Sequence, residues 1–174
     1  MNYFELFEMP ISLQVDKKYV QDKYFELQKK YHPDFFSNES EEEQADVLER
    51  SSMINKAYKT FQNEDETIKY VLQIKELLEE EEKYQLPPEF LAEMMEINEA
   101  LMDVDDSALE ETDTKISQLQ KHLYEEVQII IEYYTEDNTT NEQLLQVKDY
   151  YFKKKYLKRI LERLEGMRNI ASQF

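Results

Sequence analysis

Gln28-Lys29-Lys30-Tyr31-His32-Pro33-Asp34 is the stretch that decides the fold. Behind it, Val20, Tyr24, Leu27 and Tyr31 recur at i, i+4, i+7 and i+11, which puts them on one face of a helix. Asp16 is a suitable N-cap for that helix. Pro33 disfavours helical backbone at His32 and so ends it, which predicts a helix over 16–31. A polar loop follows, from Asp34 to about Glu42. The next helical pattern covers 43–61, with Val47, Ile54, Tyr58 and Phe61 in one row and the small Ser51 among them. Two helices with complementary stripes and a connecting loop form an antiparallel pair. A short apolar segment, Tyr3-Phe4-Glu5-Leu6-Phe7, precedes the pair and ends at Met9-Pro10. An amphipathic segment over 67–78 closes this first unit.

Further along, Glu79-Glu80-Glu81-Glu82 and Leu86-Pro87-Pro88 mark a boundary. Like charges repel one another and prolines break helices. Three helical segments follow, over 88–103, 107–134 and 141–173. The second carries Ile116, Leu119, Leu123, Val127, Ile130 and Tyr134 on one stripe. The third carries Leu157, Ile160, Leu164, Met167 and Ala171 in its second half. Thr135 to Thr140 is the polar turn between them. Three stripes joined by short turns predict a three-helix bundle. The expected organisation is an N-terminal unit over 1–78, an acidic, proline-marked linker over 79–87 and a bundle over 88–174.

Composition agrees with an all-α chain. Only one glycine, Gly166, occurs in 174 residues, whereas tight β-turns draw heavily on glycine. The formal net charge is −18. A surface so acidic repels phosphate backbones and anionic lipid, so neither nucleic acid nor membrane is an expected partner. The absence of cysteine removes thiol catalysis and zinc-thiolate sites. No apolar run is long enough to span a bilayer. The opening Met1-Asn2-Tyr3-Phe4-Glu5 lacks the features of a secretory signal, which points to the cytoplasm. His122 lies in Leu119-Gln120-Lys121-His122, without the Glu of a Glu-x-x-His iron ligand pair. No cofactor or metal is expected, and the chain does not read as an enzyme.

The decisive stretch also has its own chemistry. His32 ends a helix, which exposes its ring at a corner. Pro33 stiffens the backbone there and lowers the entropy lost on docking. Asp34 offers a carboxylate for a charge-assisted hydrogen bond from a partner's Arg or Lys. Lys17, Lys18, Lys23, Lys29 and Lys30 stand in the preceding helix against Asp16, Asp22 and Glu26, a local excess of +2. A basic face on an acidic chain steers toward an acidic partner.

The His-Pro-Asp loop after a basic helix, followed by Ile54-Asn55-Lys56-Ala57-Tyr58, resembles a J-domain. Tyr3-Phe4-Glu5-Leu6-Phe7 is similar to the first helix of that family. The resemblance implies a co-chaperone that stimulates ATP hydrolysis by a DnaK-class chaperone. It implies that His32, Pro33, Asp34, Lys29, Lys30 and Lys23 bind the chaperone. Two positions depart from the family pattern: Phe35 replaces the usual Lys or Arg, and Thr67 a frequent Arg.

No Gly/Phe-rich or Cys-rich region follows. Instead, Phe90-Leu91-Ala92-Glu93-Met94-Met95-Glu96-Ile97-Asn98-Glu99 resembles the C-terminal bundle of HscB, the J-protein of iron–sulfur cluster assembly. That resemblance implies two partners, an HscA-like ATPase and an IscU-like scaffold protein, and promotion of cluster transfer. It places scaffold binding on Leu91, Met95, Glu96, Glu99, Asp103 and Phe152. Ala92 stands where a Met is frequent. From spacing alone, Phe90, Met94, Ile97 and Leu101 form one row, and Leu91, Met95 and Met102 a second. The second row is either an exposed patch or part of a wide buried stripe. A J-domain adaptor for a different dedicated client is the alternative function.

Overall fold

Short polar signals set where each helix starts. In the computed structural model, residues 1–102 and 106–171 are described, with side chains for 1–102 and 109–166. Asn2 and Glu5 form a capping box for the single turn α1 (Tyr3–Leu6). Asp16 caps α2 (Lys17–Tyr31), its carboxylate accepting from the amides of Lys18 and Tyr19 at 2.9 and 3.2 Å. A 3-10 turn, Pro33–Phe36, follows directly. Next, α3 (Glu41–Gln62) begins two residues before the sequence expectation, because Ser40 and Glu43 cap each other reciprocally. Asn63 then caps α4 (Glu64–Ile74). This helix starts and stops earlier than the expected 67–78, and Glu76 beyond it takes a left-handed φ of 58°. The remaining helices are α5 (Pro88–Met102), α6 (Asp106–Glu132) and α7 (Asn141–Ala171). The chain is all-α, with no strand among the described residues.

The chain divides into two compact units, Met1–Leu78 with Ile131–Thr139, and Glu79–Ile130 with Thr140–Phe174. In the first, α2 and α3 run antiparallel. Tyr24 stacks on Tyr58 at 3.9 Å, Gln28 donates to Asn55 at 2.7 Å, and Tyr31 meets Arg50. Val20 and Leu27 of α2 are buried, as are Val47, Ile54, Ala57 and Phe61 of α3. Phe4 and Phe7 of the first segment are fully buried and meet Phe61 with ring centroids 5.0 and 5.4 Å away. Each such ring contributes roughly 1.5–3 kcal/mol by leaving water. That burial explains how a four-residue helix is held in place. Thr67 is also explained. It is buried, and its hydroxyl donates to the carbonyls of Thr60 and Asn63, tying α3 to α4. Tyr134 is buried within the same unit, where Lys75 pairs with Glu136.

In the second unit, Phe90, Met94 and Ile97 of α5 are buried, as are Ile116, Leu123 and Val127 of α6. From α7, Leu144, Val147, Leu157, Ile160 and Leu164 complete the bundle core. Met167 and Ala171 of the expected stripe lie outside the described side chains. The segment 79–87 is fastened along α7: Glu82 pairs with Lys148 at 2.7 Å, and the Tyr84 hydroxyl donates to Asp149 at 2.8 Å. No described helix is long and apolar enough to cross a membrane.

Lys23 shows how one position of α2 departs from a solvated basic face. It falls between Val20 and Leu27 on the buried side, and only 7% of the residue is exposed. Its stem is packed, and its ammonium reaches Glu8 at 2.5 Å and Glu26 at 3.1 Å. The hydrogen bond from Lys23 holds the Glu8 carboxyl below its ordinary range, and the same bond raises Lys23. A carboxyl with a depressed folded pKa stabilises the fold above its ordinary pKa and loses that contribution as pH falls. Glu8→Gln is therefore expected to lower the melting temperature near neutral pH. The gap to wild type should close as acid protonates Glu8. Thermal unfolding across pH checks this, and a gap that persists in acid would contradict it.

Candidate partner-binding sites

The first site is the corner between α2 and α3. Helix ends leave backbone groups without partners, and His32 supplies one. Its Nδ1 accepts the Asp34 amide at 3.2 Å. An accepting Nδ1 puts the proton of the neutral ring on Nε2. The Asp34 carboxylate lies 3.6 Å from the same ring, and its side chain is 85% exposed. Pro33 occupies the first position of the 3-10 turn, where its fixed φ fits and no amide is needed. The corner is thus a rigid presentation of one donor and one carboxylate.

Around it, Lys29 and Lys30 are exposed, and Lys30 lies 5.3 Å from the Tyr31 ring centre. Arg50 donates to the Tyr31 hydroxyl at 3.1 Å and lowers its pKa. Phe35 is 70% exposed, and its ring lies against His32 at 5.7 Å. Of the three lysines named for this site, Lys23 is turned inward and engaged by Glu8 and Glu26, so it does not share the exposed face of Lys29 and Lys30.

The second site is the outer face of α5. Phe90, Met94 and Ile97 seal the core, while Leu91 and Met95 are 37% and 64% exposed. Met102 is exposed as well. The second apolar row is therefore open to solvent, and the wide buried stripe does not form. Glu96 and Glu99 are exposed on the outermost side. Asp103 lies outside the described residues. Glu93, Glu96 and Ala100 line a cleft of about 390 Å³ with Thr112, Lys115 and His122, which marks the α6 flank of α5. By helical spacing, Leu91 and Met95 lie on the opposite flank.

Phe152 comes from α7, which packs on α5 through Phe90 and Tyr156, their rings 6.2 Å apart and edge-on. Phe152 lies one turn before Tyr156 on the same side. It is half-buried, because Tyr84 of the fastened segment stacks flat on it at 4.5 Å. Burial, then the hydrogen bond to Asp149, pushes the Tyr84 hydroxyl up to about 12. Tyr84 has no counterpart among the residues that sequence reasoning selected. Its partner is 68 positions away, and no local pattern announces that contact.

Comparison with known proteins places the chain in one family. Residues 86–165 match the family described as the HSCB C-terminal oligomerisation domain. A co-chaperone protein HscB homolog of Vibrio cholerae is 33% identical over 134 residues, 74% of this chain and 78% of that protein. The fold matches the solved structure of chaperone HscB from Vibrio cholerae with a TM-score of 0.72 and 27% identity, over 98% of this chain and 99% of the other. Human co-chaperone protein HscB matches with a TM-score of 0.76 and 28% identity, over 97% and 82% of the two chains. With an exposed His-Pro-Asp corner in one unit and an open apolar row in the other, the chain belongs to the HscB family of co-chaperones.

Proposed function

We propose that this co-chaperone links two proteins, a DnaK-class, HscA-like ATPase and an IscU-like iron–sulfur scaffold. The His32-Pro33-Asp34 corner, with Lys29 and Lys30, engages the ATPase and stimulates hydrolysis. Leu91, Met95, Glu96, Glu99 and Phe152 engage the scaffold, and Asp103 extends that set by its place in the sequence. Presentation of the scaffold as hydrolysis proceeds traps it on the ATPase and promotes cluster transfer. Membership of the HscB family supports this reading, and the observation that carries it is the exposure of Leu91 and Met95 beside a sealed core row. Apolar side chains bordered by carboxylates are what a partner-binding patch requires.

The test is ATP hydrolysis by the DnaK-class chaperone with the full chain added, with and without the scaffold. The chain alone is expected to stimulate hydrolysis severalfold, and the scaffold to raise the rate further. No stimulation at any concentration would end the ATPase reading. Stimulation that the scaffold leaves unchanged would end the scaffold reading.

A further inference from the structure

The net charge of −18 conceals a strong segregation. Between 153 and 163, Lys153, Lys154, Lys155, Lys158, Arg159 and Arg163 stand against the single acid Glu162. Those eleven residues carry +5, and the rest of the chain carries −23. Lys153 is held by Asp149 at 2.7 Å. By contrast, Lys155, Lys158, Arg159 and Arg163 are all exposed, and among the described residues no carboxylate forms an ion pair with them. Leu157, Ile160 and Leu164 face the core from the opposite side of α7. The outward side of this stretch is therefore cationic by construction.

Its position matters more than its sign. Phe152, Lys155, Arg159 and Arg163 fall at i, i+3, i+7 and i+11, one continuous row along α7. The row begins at the aromatic residue assigned to the scaffold and runs along a helix packed on α5. On α5, the exposed apolar residues Leu91 and Met95 lie on the flank away from Glu96. We propose that the cationic row of α7 is the electrostatic half of the scaffold-docking surface, and that the scaffold meets it with an acidic patch beside its apolar contact. The inference rests on the scaffold reading above and adds the charge that the scaffold must carry.

The surface is then bipolar, with acid on α5, apolar side chains next, and base on α7. Opposed charges at two edges of an apolar contact fix the orientation of a partner, because a reversed partner sets like charges together. An extended polyanion is a poorer occupant. The row rises only about 12 Å from Lys155 to Arg163, and the chain outside 153–163 carries −23. At 0.1 M salt, charges act over about 10 Å, so a polymer reaching past the row meets repulsion.

The experiment measures association of the full chain with the IscU-like scaffold as salt is raised. It compares wild type with a Lys155→Glu, Arg159→Glu, Arg163→Glu variant and with the milder Lys155→Gln, Arg159→Gln pair. All these side chains are exposed, and circular dichroism melts confirm that the variants fold. The charge-reversed variant is expected to associate about tenfold more slowly at low salt, with the neutral pair between it and wild type. The difference should vanish in 1 M salt, where screening acts over about 3 Å. Equal association rates and equal salt slopes for folded variants would overturn the inference while leaving the scaffold reading intact. Failure of wild type itself to bind the scaffold would end that reading, and this inference with it. Wild-type binding to a single-stranded oligonucleotide or to phosphatidylserine vesicles, lost on charge reversal, would assign the row to another partner and also overturn it.

Discussion

His32→Gln is expected to abolish stimulation of the DnaK-class ATPase while leaving the fold in place. The imidazole stands outside the core, its side chain 45% exposed, and among the described residues its hydrogen bond is a local contact with the Asp34 amide. Loss of such a contact costs about 1 kcal/mol. Helix content and melting temperature should therefore stay close to wild type. The functional loss is expected to be large because the amide of Gln reproduces neither the imidazole nitrogens' positions nor the rigid ring. Single-turnover hydrolysis by the chaperone reads the first effect, and circular dichroism the second. A folded variant that stimulates fully would sink the assignment of this corner.

Truncation of Leu91, Met95 and Phe152 to Ala together is expected to remove scaffold binding. Anchor residues at the centre of an interface often contribute 2 kcal/mol or more each, so the loss should reach at least about 100-fold. Stability sorts the three residues. Met95 is 64% and Leu91 37% exposed, so their truncation costs less than that of a fully buried side chain. Phe152 lies under Tyr84 and gives up that stacking. Its truncation should cost roughly 1–3 kcal/mol, below the 3–5 kcal/mol of a fully buried Phe. The Leu91→Ala, Met95→Ala double variant is therefore the cleaner measurement. Calorimetric titration with the scaffold and a thermal melt are both needed. Normal affinity in the folded double and triple variants would rule out this face.

The helices were legible because their signals are local. The alternating four- and three-residue spacing of Val20, Tyr24, Leu27 and Tyr31 places them on one face, and Pro33 stops α2 at His32. Start positions failed by two or three residues where a side chain caps from outside the apolar pattern, as Ser40 and Asn63 do. The exposure of Met95 was not legible, since two apolar rows side by side fit either a broad core or a patch. Lys23 was misread by type rather than by place. Its spacing between Val20 and Leu27 marks the buried side, and charge alone put it on the surface. The bond from Tyr84 to Asp149 joins residues 65 positions apart, and only the folded chain brings them together.

The fastening of 79–87 bears on how this protein can be cut and recombined. The Pro87-Pro88 pair looks like a seam, yet a break there would strip Glu82 from Lys148 and uncover Phe152. The second compact unit begins at Glu79, ahead of that proline pair. A C-terminal half exchanged between relatives is expected to keep these contacts when the preceding acidic segment travels with it.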